Sequence, residues 1–170
     1  HADSDTGRRH LANVRRLAGD RGIDVAPISM AAGLTPAALA DAIARARVDA
    51  VFNHGSYSVY VGIIKSLRAK GLTPMFMAVN SGAAQMAREL GPEGRGLVFT
   101  QVVPFPWGVA VPVVKEYQQA LAKYAPATPP SFSGLEGYIG AKVLVAGLRA
   151  AGRDLTRAGI QRAMEGLGTV

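Results

Sequence analysis

Two short, almost unbroken apolar runs, 48–52 and 75–79, constrain what this chain can fold into more than any other feature. Runs of this length suit strands covered by helices on both faces, which is how parallel sheets are built. The segment between them, Tyr57–Ala69, puts Ile63, Ile64 and Leu67 on one helical face and meets a stop at Gly71. Strand, helix and strand in that order predict an α/β fold with a mainly parallel sheet flanked by helices.

The same alternation extends in both directions. A helix over 7–18 buries Leu11, Val14, Leu17 and Ala18, turns its arginines outward and stops at Gly22. Residues 23–28 read as a strand, placed at an edge or interrupted because Pro27 cannot donate a ladder hydrogen bond. Thr35 followed by Pro36 starts a helix that buries Leu39, Ala42, Ile43 and Ala46. Ser81 opens a helix that runs to Leu90 and stops at Gly91, and 97–103 is the last clear strand. Pro112 opens a helix carrying Val113, Val114, Tyr117, Leu121 and Tyr124, which the proline-rich connector 126–130 ends. Ser133 and Glu136 predict a capping box before a long apolar helix over 135–151, and Thr156 caps a final short helix that stops near Gly168.

At 170 residues and 49% hydrophobic, the chain has the size of one globular domain. Its apolar runs fall far short of the roughly 20 residues that span a bilayer. Without cysteine there is no disulfide, thiol nucleophile or cysteine metal site. The net charge of +7 draws on Arg8, Arg9, Arg15 and Arg16 in one early segment, with Arg45 and Arg47 following. No nucleic-acid motif accompanies them, so they read as a solvated helix face and no nucleic-acid partner is expected.

In open parallel sheets, ligands sit beyond the carboxyl ends of the strands. That rule selects 29–31, 53–57, 80–82, and Gln101 with the residues through Trp107. At 53–57 and 80–82, polar side chains and a glycine stand directly between an apolar strand and a helix. Ser56, Ser58 and Ser81 fit helix caps there, while Tyr57 fits either a helix surface or a pocket wall. Trp107, flanked by proline, fits a packing anchor or an inter-lobe contact. His54 has only His1 and His10 as companions and reads as a hydrogen-bonded structural histidine, with no metal site expected. Gly91, Gly94 and Gly96 lie between a helix and a strand, the reverse of a dinucleotide fingerprint. Glu89, Glu93, Glu116, Glu136 and Glu165 fall away from the strand ends, so no acid/base pair converges on the cleft. No catalytic residue and no cofactor are expected.

The stretch VDAVFNHGSY at 48–57, LRAKGL at 67–72, MFMAVN at 75–80, GRGL at 94–97 and LEGYIGAKVL at 135–144 resemble, in order and spacing, the second lobe of type I periplasmic solute-binding proteins of the branched-chain amino acid (Leu/Ile/Val) ABC importer family. Such proteins have two α/β lobes joined by three crossovers and close on a small ligand between them. The resemblance implies a substrate-binding component of an importer, periplasmic or extracellular, whose partners are the membrane permease and a small solute. It makes Thr6, Ser56, Tyr57 and Asn80 ligand-facing candidates, to which the strand-end rule adds Gln101. Asn80 stands where amino acid binders often carry an acid, and Thr6 where they often offer an aromatic. These departures widen the ligand class from amino acids to aromatic or aliphatic carboxylates, amides and urea-like solutes. A ligand-sensing regulatory module of the same fold, and a nucleotide-handling α/β enzyme, are the alternatives. By the same resemblance 1–125 forms the ligand-binding lobe without its first strand, and 126–170 leads back toward a first lobe. The lobe without that strand is expected to recruit a strand from another copy, as a homodimer, or to re-pair 23–28 directly with 48–52.

Overall fold

A computed structural model describes residues 1–31, 33–79 and 82–169, and the chain divides into two compact units, His1–Thr100 and Gln101–Val170. The first unit is the α/β fold the alternation predicts. It contains helices α1 (Asp5–Gly19), α2 (Pro36–Ala46), α3 (Tyr57–Ala69) and α4 (Ala83–Leu90), a 3₁₀ turn at Gly91–Gly94, and strands β1 (Ala50–Asn53), β2 (Met75–Ala78) and β3 (Val98–Phe99). The strands are parallel, in the order β1-β2-β3, with Val51 opposite Phe76 and Met77 opposite Val98.

Helix α3 is the keystone. Tyr60, Val61, Ile63, Ile64 and Leu67 are all buried, and they join Leu39, Ala40 and Ile43 of α2, Met86 and Leu90 of α4, and Phe76 and Ala78 of β2 in one core. The Tyr60 hydroxyl donates to the backbone carbonyls of Val51 at 2.8 Å and Met77 at 3.3 Å, tying the helix to both neighbouring strands. Burial pushes its phenol well above the ordinary range. At the far end of α3, Lys70 hydrogen-bonds Asp41 of α2 at 2.9 Å, and that bond holds the carboxyl below its usual value.

Several expectations are corrected. Residues 23–28 form no strand: Pro27 lacks the donor, and the ordered pairing is a single parallel bridge between Ala2 and Met30. The backbone N–H of Met30 donates to His1 O at 2.8 Å, so 23–28 is not re-paired with β1, which lies at the sheet edge among the described residues. The strand expected over 97–103 shrinks to Val98–Phe99. Among the described residues of the first unit, α2, α3 and α4 pack on one face of the sheet. Side chains alternate along a strand, so Val51, Phe76, Ala78 and Phe99 meet the core, while Phe52, Met75 and Val98 on the opposite face remain 43%, 54% and 43% exposed. Helix α1 starts earlier than expected, because Ser4 in extended backbone accepts from Gly7 N and nucleates the turn. Of its anticipated core face, Ala18 is buried and Leu17 is exposed.

The second unit comprises α5 (Pro112–Tyr124), α6 (Phe132–Ala151) and α7 (Arg157–Glu165). Val114 and Tyr117 of α5 pack on Leu135 of α6. The cap of α6 is Ser131 rather than Ser133: Pro129 and Pro130 favour the extended backbone that a cap needs, and Ser131 Oγ accepts from Gly134 N at 3.0 Å. Thr156 caps α7 as expected, and α7 ends at Glu165, before Gly168. Gly147 lets Met164 of α7 approach α6, since a Cβ there would overlap the methionine sulfur.

Candidate ligand-binding rim

The carboxyl ends of β1 and β2 open on the same rim, and the turn between β1 and α3 is built from the strand outward. Asn53, the last residue of β1, is buried and its amide donates to Gly55 O at 3.3 Å, folding the chain back on itself. Gly55 then passes so close to Met30 that a Cβ would stand 2.6 Å from its sulfur. Beside it, His54 stacks on His10 of α1 with ring centroids 3.7 Å apart. Among the described residues no hydrogen bond involves His54, so it is held by stacking rather than by the hydrogen bond anticipated for it.

Helix α3 begins without a side-chain cap. Ser56 Oγ lies 2.8 Å from Ser58 Oγ and makes no bond to the backbone, contrary to the capping role its sequence suggests. The first helical bond runs from Tyr60 N to Ser56 O, which leaves the first-turn N–H groups directed at the rim, where the helix dipole favours an anion.

Tyr57 reaches across from this turn to the next. Gly82, with φ +75°, caps α4, and a Cβ on it would lie 2.7 Å from the Tyr57 ring. A half-buried aromatic therefore bridges the β1–α3 and β2–α4 turns. Asn80 and Ser81 lie outside the described residues. Thr6 is an exposed residue in the first turn of α1 rather than in a loop, and Gln101 is a half-buried residue of the second unit, two positions beyond the end of β3. In that unit Phe105, Trp107 and Phe132 form a ring cluster, and Trp107 stays 50% exposed. Asn53 and Met30 fall within the segments 53–57 and 29–31 that the strand-end rule selects, but the sequence assigns neither a role of its own. The buried amide of Asn53 and the Met30 sulfur against Gly55 supply one.

Rims of this construction, on a parallel sheet of this order, belong to several α/β families, and the comparison with known families separates them. The family model described as periplasmic binding protein matches residues 1–170. The chain belongs to that family. Among solved structures, this periplasmic binding protein chain is similar to one from Rhodopirellula baltica SH 1 described as a possible leucine/isoleucine/valine-binding protein, at 28% identity and a TM-score of 0.78, over 99% of this chain and 48% of that one. A substrate-binding periplasmic protein from Ralstonia solanacearum is 25% identical, with a TM-score of 0.80, over 96% of this chain and 48% of its own. An extracellular ligand-binding receptor from Verminephrobacter eiseniae ef01-2 has the same fold, with a TM-score of 0.81 over 100% of this chain and 50% of that one at 24% identity. The chain thus spans about half the length of the solved structures it matches. No curated protein sequence matches it.

Proposed function

We propose that this chain supplies the second lobe of a periplasmic solute-binding component of an ABC importer, and that its share of the ligand site is the β1–α3 turn with Tyr57 at its centre. The observation that carries this reading is the Tyr57 ring lying over Gly82: one aromatic joins two strand-end turns beside an uncapped helix N-terminus, in a chain that matches the periplasmic family along its whole length. A ring and free N–H groups suit a small solute that is apolar at one end and carboxylate at the other. The leucine/isoleucine/valine description of the Rhodopirellula structure supports an aliphatic amino acid or a related carboxylate. Ser56 supplies a hydroxyl to the same ligand, and Thr6 and Asn80 complete this unit's set.

Asn80 is the specificity position in this reading. Asn80→Asp should shift preference toward ligands that carry an ammonium group and weaken purely anionic ones, because a carboxylate in a closed, poorly solvated cleft attracts the first and repels the second. Calorimetry giving the same ligand ranking for both forms would remove Asn80 from the site. The proposal as a whole is tested by a thermal-shift screen of the longer protein that contains this chain. Aliphatic amino acids, aromatic acids and short amides should include at least one compound that raises its melting temperature by mass action on the native state. A flat response across all three classes counts against solute capture.

A further inference from the structure

Packing contacts, rather than a helix cap, hold the turn 53–57 in place, since Ser56 makes no bond to the backbone at the start of α3. Asn53 closes the turn through its amide on Gly55 O, Gly55 lies against the Met30 sulfur, and Tyr57 lies over Gly82. The remaining contact is His54 on His10 of α1, with ring planes 24° from parallel and centroids 3.7 Å apart. It alone is made of histidine, the side chain that ordinarily changes charge between about pH 5 and 8. Thr6 stands one helical turn before His10 on the same face of α1, so the stack joins the segment that carries Thr6 to the turn that carries Ser56 and Tyr57.

Few charges surround the pair, and both rings are half-buried. On α1 the residues one turn either side of His10 are Thr6, Gly7, Asn13 and Val14, all uncharged. Arg8 points to the opposite side and pairs with Asp3 and Asp5, while Arg9 is exposed. The turn adds the Tyr57 phenol, and the segment 28–31 adds no charged side chain. His1 meets that segment through its amino group, which donates to Ile28 O at 2.7 Å. Among the described residues no carboxylate pairs with either stacked ring. Neutral rings stack favourably, and a ring bearing one proton still attracts a neutral one. Protons on both set two like charges face to face with nothing to offset them.

We infer that His10 is a positioning residue for the solute rim, acting through its stack on His54 to hold the β1–α3 turn, and that charging both rings releases the turn. The consequence for solute capture rests on the function proposed above, whereas the hold on the turn can be read without a solute. That hold is present while the rings are neutral and is lost as pH falls through the ordinary imidazole range, about 6.5.

Hydrogen exchange of the longer protein without solute, corrected for the intrinsic pH dependence of exchange, reads the turn directly. At about pH 8, above the imidazole range, His10→Ala should speed exchange across 54–60 on the order of fivefold or more, the lower end of coupling between sites. His10→Phe keeps a ring to stack on and should restore wild-type protection. At about pH 5 the wild type should lose protection there, while His10→Phe and His54→Phe keep it. Calorimetry with the best solute of the thermal-shift screen should follow the same pattern. Wild-type affinity falls about fivefold or more between the two pH values and stays level in both phenylalanine variants, in a range where a carboxylate solute keeps its charge. Wild-type protection of the turn in His10→Ala would overturn the inference. So would an acid loss in either phenylalanine variant as steep as in the wild type, because repulsion needs both charges. Affinity indifferent to His10 and to pH would overturn the positioning role even with the exchange pattern as stated. A screen that finds no solute fails the function reading alone, and exchange in the turn still decides for or against the stack.

Discussion

At the scale of single residues, buried polar atoms and forced glycines do the most to shape this rim. The Tyr60 hydroxyl is the joint between α3 and the strands, through the carbonyls of Val51 and Met77. Tyr60→Phe should cost about 1–2 kcal/mol in denaturant unfolding, since two buried acceptors lose a donor while the ring stays packed. The pH dependence follows from the raised phenol. A group more weakly acidic in the folded than in the unfolded chain contributes stability that is whole below its unfolded value of about 10, and loses it as pH climbs toward the folded value. Wild-type stability should therefore fall above about pH 10 more steeply than that of Tyr60→Phe. Parallel alkaline limbs would show that Tyr60 ionises as freely in the fold as in solution. Gly82 is the second forced position: Gly82→Ala adds a Cβ against the Tyr57 ring at a φ of +75°, and should cost about 1–3 kcal/mol. An unchanged melting temperature would mean that Tyr57 does not lie over this turn.

Among the elements, legibility followed the strength of the local signal. Helix α3 was readable to the residue, because a 3.6-period apolar face is bounded by a polar turn on one side and by Gly71, at φ +72°, on the other. The strand expected over 23–28 was not, because its apolar residues compete with Pro27 and with exposure of Ile23, and a strand needs a neighbour that no local pattern records. The cap of α6 failed for a related reason. Two serines stand three and one positions from the motif glycine, and the preceding prolines, rather than a Glu three residues on, decide which of them is extended. Ser131→Ala should therefore lower stability by about 1 kcal/mol and Ser133→Ala by a few tenths at most. The reverse order in thermal denaturation would return the cap to Ser133. Ile64→Ala in α3 removes a fully buried side chain and should cost about 2–5 kcal/mol. Hydrogen exchange should show the loss first in His1–Thr100, the unit whose core it opens.

For the whole molecule, the rim was legible as a place before it was legible as a site. Placement at strand carboxyl ends needs only the order of apolar runs and polar turns, which the chain displays plainly. The distance between Tyr57 and Gly82, 25 residues apart in sequence, depends on the parallel pairing of β1 with β2. The exposure of Phe52, Met75 and Val98 was equally hidden, because an apolar run looks the same whether one face or both are covered. The chain also spans about half of each solved relative, so half a cleft is all it can offer a ligand under the proposed function. Calorimetry of the longer protein with its best solute, beside its Tyr57→Ala variant, tests that account most directly. It predicts one solute bound per molecule and affinity reduced on the order of tenfold or more when the ring is removed, the usual scale for truncating a buried aromatic contact. Equal affinity in both proteins would contradict it.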